Sequence, residues 1–150
     1  MPTRDDVIRK ARECIGTPFR DQGRIKGRGL DCLGIVLWIC AELKIRDASG
    51  APIRVEEYGD WGGSPVGDFM LRECERRLYE KPIDPLETAD VLVMAVSSDP
   101  THLAIVTSLK GSAAIIHAYG GAIQKVSEHR LDLKWRRRIR GVFTLPGVEG

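Results

Sequence analysis

A cysteine stands where a glycine-rich basic loop, Gly23 to Gly29, meets an apolar segment of helical character, Leu33 to Leu43. The free amide N–H groups at a helix N-terminus favour negative charge, so a thiol in this position should lose its proton easily. We therefore predict that the pKa of the Cys32 thiol is roughly 3.5 to 7.5, below the ordinary value of about 8.5. Such a thiol would be a nucleophile, which requires a base nearby.

Two histidines far along the chain could supply that base. His102 and His117 lie on segments with the pattern of paired strands, joined by a turn at Leu109 to Ser112, which places His102 opposite Tyr119. Paired residues share one face of a sheet and alternate residues return to it, so His102, His117 and Tyr119 should project from the same side. The two imidazoles should then be within hydrogen-bonding reach, whereas a turn one residue longer or shorter would reverse this arrangement.

These side chains have the chemistry of an acyl-transfer site. Cys32 would attack a carbonyl carbon, His102 would accept the thiol proton and return it to the leaving amine, and His117 would orient His102. The backbone N–H of Cys32, at its helix terminus, is the natural first donor to the oxyanion. The sequence does not identify the second donor.

The apolar periodicity predicts helices in the first half of the chain. One helix begins at Thr3 with Asp6 in its first turn and is closed by Gly16, a second carries Cys32, and a third spans Asp68 to Tyr79. Residues 20–30, rich in glycine and basic side chains, predict a mobile loop, and residues 49–65 predict another loop.

The second half of the chain changes to the two-residue period of strands. Helices followed by an antiparallel sheet predict an α+β fold. The predicted strands are Val91 to Val96, His102 to Ser108, Ala113 to Tyr119, Ile123 to Val126 and Arg137 to Leu145.

Length and composition describe one globular domain over residues 1–150, with 43% hydrophobic and 29% charged residues. The polar N-terminus and the short apolar runs predict synthesis in the cytoplasm without a signal peptide and no membrane insertion. The formal net charge of +2 is too small to indicate a nucleic-acid partner. The four cysteines contain no Cys-x-x-Cys pair, so we expect free thiols, although metal ligation involving Cys32, Cys40 and the histidines is an open alternative.

Five short motifs carry a family resemblance: Gly16-Thr17-Pro18-Phe19, Asp31-Cys32-Leu33-Gly34, Thr88-Ala89-Asp90-Val91-Leu92, His102-Leu103-Ala104-Ile105-Val106 and Ile116-His117-Ala118. In this order, over about Asp5 to Pro146, the chain resembles NlpC-type cysteine peptidases, and especially the short members encoded in phage tail gene clusters. The resemblance implies a papain-like α+β fold with N-terminal helices packed on an antiparallel sheet of about five to six strands.

The same resemblance implies an activity. Members of this family hydrolyse the stem peptides of bacterial peptidoglycan, often between D-glutamate and a diamino acid, without a cofactor. Cys32, His102 and His117 occupy the matching catalytic positions. The partners implied are peptidoglycan stem peptides and other phage tail proteins, with the protein associated with the virion tail and acting at the cell wall.

Three departures from the family pattern limit what the resemblance implies about substrate specificity. Phe19 stands where many members have tyrosine, Leu33 stands where serine is usual, and the loop from Phe19 to Asp31 is longer and more basic. Fine substrate specificity therefore does not transfer. The candidate substrate-binding residues are Asp31, Phe19, Leu33, Trp61 and Tyr119.

Several features also have a plain structural interpretation. Cys14 and Cys40 lie on apolar helix faces and are expected in the core. His129, in a polar run, is expected at the surface. Arg136, Arg138 and Arg140 alternate along a predicted strand, and are interpreted as a solvated edge or as a surface that attracts anionic wall polymers or a tail partner. Trp61 could wall a binding groove or fasten a loop to the core.

Two other functions remain open at this point. A papain-like core could serve as a structural or binding component of a tail without turnover. Alternatively, the thiol could perform amidase or acyl-transfer chemistry on the same fold. The products of the reaction separate these possibilities.

Overall fold

Helices occupy the first half of the chain, and one short helix lies near its end. The computed structural model describes residues 1–55, 67–119 and 123–150. The helices in these ranges are α1 (Arg4–Glu13), α2 (Cys32–Leu43), α3 (Phe69–Arg77) and α4 (Leu133–Arg136). As predicted, the first helix begins at a capping box, in which Thr3 and Asp6 each accept the other's backbone N–H through a side-chain oxygen.

Strands in the same ranges form one small hairpin and one large sheet. The hairpin consists of β1 (Arg24–Ile25) and β2 (Gly29–Leu30). The strands of the sheet are β3 (Tyr79–Lys81), β4 (Val91–Met94), β5 (His102–Leu109), β6 (Ser112–Tyr119), β7 (Lys125–Arg130) and β8 (Ile139–Thr144). Their spatial order is β3-β8-β4-β5-β6-β7, and every neighbouring pair is antiparallel. This architecture confirms the predicted α+β fold.

The β5–β6 hairpin has the predicted register as far as Ile105, and the predicted pairing of His102 with Tyr119 is not formed. Its pairs run from Leu109 opposite Ser112 to Ile105 opposite Ile116. The turn residues Lys110 and Gly111 both have positive φ, 50° and 81°, which suits a tight two-residue hairpin turn. The predicted placement of His102 and His117 on one face of the sheet is therefore confirmed.

Alternate residues of the sheet enter two separate apolar layers. Val91 and Val93 pack on the face that α1, α2 and α3 cover, and the buried side chains of those helices join them. Leu92 and Met94 pack on the opposite face, against which Trp135 lies. Because side chains alternate along strands, the catalytic candidates on β5 and β6 belong to the second face.

A buried ion cluster ties α1 to the sheet at the Thr88–Leu92 motif. The Asp90 carboxylate is fully buried and accepts from the Arg4 guanidinium at 3.0 Å and the Lys81 ammonium at 2.7 Å. It also accepts the backbone N–H of Glu87 at 2.8 Å. Because a buried charge must be paired, Asp90 fixes the first helix and the entry to β4 relative to each other.

Two local predictions were wrong, and one strand was not predicted. Residues 20–30 fold as the β1–β2 hairpin instead of a mobile loop, because the side chain of Asp31 holds them, as described below. The last strand begins only at Ile139, because Asp132 caps α4 through the Trp135 N–H, so no alternating arginine face forms before that residue. The short edge strand β3 was not predicted. Within the described ranges, no helix is both long and apolar enough to cross a bilayer.

Candidate active site

The carboxylate of Asp31 fixes the N-terminus of α2. Its Oδ1 accepts the Gly34 N–H at 2.7 Å, which makes Asp31 the N-cap of the helix. The same buried carboxylate accepts the Gln22 N–H at 2.9 Å and the Arg24 guanidinium at 2.8 Å, so it also holds the β1–β2 hairpin. Burial raises the pKa of Asp31, and Arg24 and the two N–H donors oppose that rise. Both oxygens are used within the protein, so Asp31 positions the site, and its contact with substrate stays a prediction.

Gly34 allows the hairpin to lie against the first turn of α2. A methyl group at this position would overlap the carbonyl oxygen of Gly23, which is a backbone atom and cannot turn away. The glycine of the Asp31–Gly34 motif is therefore required by the close approach of two backbones.

We expect Gly34→Ala to lower the free energy of unfolding by about 1–3 kcal/mol, because the hairpin must move to relieve the overlap. Alanine is otherwise favoured over glycine in a helix by ~1 kcal/mol. A net loss of stability can therefore be attributed to the overlap of the new methyl group with the Gly23 carbonyl. Urea unfolding measures the change. Gly141→Ala is the control, since the nearest atoms there belong to the Leu71 and Phe143 side chains, and its loss should be smaller. Stability equal to or above that of the wild type in Gly34→Ala would contradict the close approach.

The Cys32 thiol faces the backbone of β5 on either side of His102. The thiol donates to the Thr101 carbonyl at a long S···O distance of 4.0 Å, and the Leu103 N–H donates to the sulfur. Thr101 and Leu103 precede Ile105, which is the first β5 residue that pairs with β6. Helix α2 packs against both strands. Within the described residues, no hydrogen bond joins the thiol to the His102 ring.

The Cys32 thiol is protonated in this conformation. Burial raises its pKa to about 12, the charge of Asp31 adds to the rise, and the Leu103 and Leu33 N–H groups oppose it. The prediction of a low pKa was therefore wrong. The N–H groups do favour the thiolate, but the loss of hydration and a neighbouring carboxylate outweigh them. To act as a nucleophile, the Cys32 thiol would have to give its proton to a base during attack.

His102 and His117 meet as predicted. Nε2 of His102 lies 2.6 Å from Nδ1 of His117, and the two side chains are buried, with 7% and 2% of their residue surface exposed. Burial, together with the charge of Arg138, lowers the pKa of His102 to about 4. Burial and the neighbouring His102, His129 and Arg138 lower the pKa of His117 to about 2. Both imidazoles are therefore neutral at pH 7, and Nδ1 of His102 is the nitrogen left to accept a proton.

His129 was expected at the surface, but it extends the pair into a line of three imidazoles. Its Nε2 lies 2.8 Å from Nε2 of His117. The strand β7 continues to Arg130 instead of ending at Val126, and Ser127 pairs with His117, which puts His129 diagonally next to His117 on the same face. Extending the strand pattern through the polar run would have revealed this neighbour.

Trp135 is a second member of the site that the sequence analysis did not identify. Its ring centroid lies 4.9 Å from that of His117 and 5.3 Å from that of His129. The Arg138 guanidinium covers the Trp135 ring at 4.3 Å. No local pattern signals this role, because the α4 turn brings Trp135 back over the sheet.

The remaining predicted site residues are in different environments. The Tyr119 ring stacks on His117 with centroids 6.0 Å apart, and it lies 5.8 Å from the His102 ring. Leu33 is buried in the helix-side core, and Phe19 is half-buried against that core. Trp61 lies outside the described residues. Substrate contacts by these side chains stay predictions.

The described residues hold no group of three His, Cys, Asp or Glu side chains able to bind a metal ion. The three histidines lie in a line instead of converging on one point, and the four cysteines are free. The groups of the described site that could do chemistry are the Cys32 thiol and the histidine imidazoles.

The sequence matches no family model and no curated protein, so the comparison with solved structures is the informative one. The NlpC/p60 domain of the peptidoglycan hydrolase SagA superposes with a TM-score of 0.61 at 19% identity, covering 95% of this chain and 99% of that one. The structure of Ly7917 with the hydrolyzing product of MDP gives 0.60 at 13% identity, covering 97% and 63%.

An N-acetylmuramoyl-L-alanine amidase from Bacteroides uniformis ATCC 8492 superposes with a TM-score of 0.55 at 13% identity, covering 93% of this chain and 96% of that one. The chain spans only 42% and 39% of two other NlpC/p60 proteins, which are longer. At these identities the comparisons establish the fold. The chain has the papain-like α+β fold of NlpC/p60 domains.

Proposed function

We propose that this protein is a cysteine peptidase that hydrolyses the stem peptides of peptidoglycan. The observation that carries the proposal is the position of Cys32 at the start of α2, against the strand that bears His102, whose ring is hydrogen-bonded to that of His117. The fold supports it, because structural neighbours include the peptidoglycan hydrolase SagA and the structure of Ly7917 with the hydrolyzing product of MDP. The bond between D-glutamate and a diamino acid is the cleavage site that the family resemblance favours.

The mechanism begins with an uncharged thiol at Cys32 and an uncharged imidazole at His102. The thiol turns from the Thr101 carbonyl towards His102, and sulfur attacks the substrate carbonyl carbon as the thiol proton passes to Nδ1 of His102. The Cys32 N–H donates to the developing oxyanion. The His102 imidazolium then protonates the leaving amine, the C–N bond breaks, and water hydrolyses the thioester while His102 again accepts a proton.

Mass spectrometry of peptidoglycan fragments tests this proposal. Purified fragments from several wall types are incubated under reducing conditions with the wild type, Cys32→Ala and Cys40→Ala. The Cys40 variant is the matched control, since this buried thiol lies in the same helix and packs in the core. We expect new stem-peptide ends with the wild type and Cys40→Ala and none with Cys32→Ala, and the masses identify the bond. Cleavage that persists in Cys32→Ala would contradict a thiol mechanism.

A structural or binding role without turnover is the second candidate. The protonated Cys32 thiol, hydrogen-bonded to backbone and not to His102, favours it. A folded wild type that cleaves none of several wall types would support this candidate. Binding of wall fragments or tail proteins that is unchanged in Cys32→Ala would support it further.

Amidase action is a variant of the main proposal that the neighbouring B. uniformis amidase favours. The same products decide it, because an amidase frees the lactyl group of the sugar, whereas an endopeptidase leaves that group joined to a shortened peptide. A new amide or ester product would indicate acyl transfer instead.

The biological setting that we propose is a phage or prophage tail that acts at the cell wall. Its support is the resemblance to short family members encoded with tail genes. Mass spectrometry of purified phage particles would detect the chain if it is a virion component. Its absence from particles, with activity retained, would point to another setting.

A further inference from the structure

The three histidines form a continuous chain of hydrogen bonds that ends on a backbone carbonyl. The chain runs from Nε2 of His102 to Nδ1 of His117 over 2.6 Å, and from Nε2 of His117 to Nε2 of His129 over 2.8 Å. Nδ1 of His129 then lies 2.9 Å from the carbonyl oxygen of Arg130. Every ring nitrogen except Nδ1 of His102 therefore has a partner within this chain.

The Arg130 carbonyl, at the end of this line of hydrogen bonds, determines which nitrogen of each imidazole carries the hydrogen. A carbonyl oxygen only accepts, so Nδ1 of His129 must carry a hydrogen, and in a neutral ring Nε2 is then an acceptor. His117 must donate to it through Nε2–H, which leaves Nδ1 of His117 as an acceptor. His102 must in turn donate through Nε2–H. Its Nδ1 is left with a free lone pair, which is the form that can accept the thiol proton.

The opposite polarity would prevent this function. If His129 donated through Nε2, both His117 and His102 would reverse, and the hydrogen on His102 would be on Nδ1. His102 could not then accept a proton at Nδ1 from Cys32. A cationic His129 would impose this polarity, so the proposed polarity belongs to the neutral His129 ring.

We propose that His129 is a positioning residue that, through the Arg130 carbonyl, holds His117 and His102 in the tautomers required for His102 to act as a base. This role rests on the proposed cysteine-dependent function, but the tautomers themselves do not. His129 does not contact Cys32, and it acts only through His117. The catalytic pair is thereby extended to a line of three histidines whose polarity is set at its far end.

The surroundings of His129 make it open to substitution. It is half-buried, and it lines a cavity of about 320 Å³ with Tyr119, Ser127 and Trp135 among its walls. A side chain of similar size can therefore replace the imidazole without filling or emptying the core. His129→Leu removes the acceptor, whereas His129→Gln can return one through its amide oxygen.

The direct test is NMR of the full chain labelled with ¹⁵N-histidine, which distinguishes the two tautomers by their long-range ring couplings. We expect Nδ1–H at His129 and Nε2–H at both His117 and His102 in the wild type. In His129→Leu, the single tautomer at His117 and His102 should give way to a mixture, and His129→Gln should largely restore it. A wild type with Nδ1–H at His117 would overturn the proposal, as would unchanged tautomers in His129→Leu.

The rate of wall hydrolysis at pH 7 gives a second readout, because in the proposed mechanism it depends on His102 as the base. We expect His129→Leu to lower this rate by roughly 10-fold to 100-fold, the range typical of losing a group that orients a reactive partner, and His129→Gln to recover most of the rate. Equal rates in the three folded proteins would overturn the proposal. Failure of wall hydrolysis with the expected tautomers would instead count against the proposed function alone.

Discussion

Alkylation of Cys32 by iodoacetamide is expected to accelerate about tenfold for each pH unit between about pH 7 and about pH 9.5. The thiolate is the reactive form, and its fraction rises tenfold per unit while the pH is well below the pKa. Burial raises the pKa of Cys32 to about 12, so this whole range lies on the rising part of the curve. A thiol with the low pKa expected of an exposed helix N-terminus would already be thiolate, and its rate would be flat.

The control must separate Cys32 from the three buried thiols of Cys14, Cys40 and Cys74. Burial raises the pKa of Cys14 to about 11, and the pKa values of Cys40 and Cys74 to about 12. Mass spectrometry should therefore locate the alkylated peptide, and Cys32→Ala should give the background rate of the others. An alkylation rate at the Cys32 peptide that does not change with pH would contradict this expectation. It would show that the Cys32 thiol is already ionised in solution.

His102→Ala is expected to lower the hydrolysis rate by about 10²- to 10⁴-fold, because a protonated thiol depends on a general base. The pKa of His102 is lowered to about 4, so the neutral base is present at pH 7. In the wild type, the rate should fall as the pH drops through about 4, where His102 takes up a proton and can no longer accept one from Cys32. Initial rates on purified peptidoglycan fragments measure both effects.

The control for His102→Ala is a variant that alters the same cluster but keeps the base. Trp135→Phe retains an aromatic ring beside His117 and leaves His102 in place, so its rate should stay within about tenfold of the wild type. Thermal unfolding of each variant establishes that the sheet is intact. Near-normal hydrolysis by a folded His102→Ala variant would show that a group other than His102 accepts the proton of the Cys32 thiol.

Local patterns were sufficient to predict most of the elements that build the site. The capping box at Thr3 and Asp6 and the acidic cap at Asp31 mark helix starts, because orphan N–H groups at those ends need oxygen acceptors. The two-residue period and a short turn place His102 and His117 on one face, because strand register follows from turn length. These features depend on neighbours in sequence or on one hairpin.

Contacts between distant segments could not be predicted from such local patterns. The hairpin at residues 24–30 depends on a buried carboxylate and on the close packing of two glycines, Gly23 and Gly34. Trp135 reaches the histidines only because α4 turns the chain back over the sheet. His129 joins the other two histidines because β7 continues to Arg130, whereas the sequence pattern predicted a strand that ends at Val126.

The sequence alone determined which groups are candidates for the chemistry, the helix that begins at Cys32, and the shared face of His102 and His117, since these follow from residue type, local hydrogen bonding and side-chain alternation. Only the tertiary structure decided the protonation of these groups. The pKa of Cys32 depends on the water removed around it and on the Asp31 carboxylate, and the polarity of the histidine line depends on the Arg130 carbonyl. Both depend on the folded structure, because the hydration of a side chain and the positions of its hydrogen-bond partners are set when distant segments pack together.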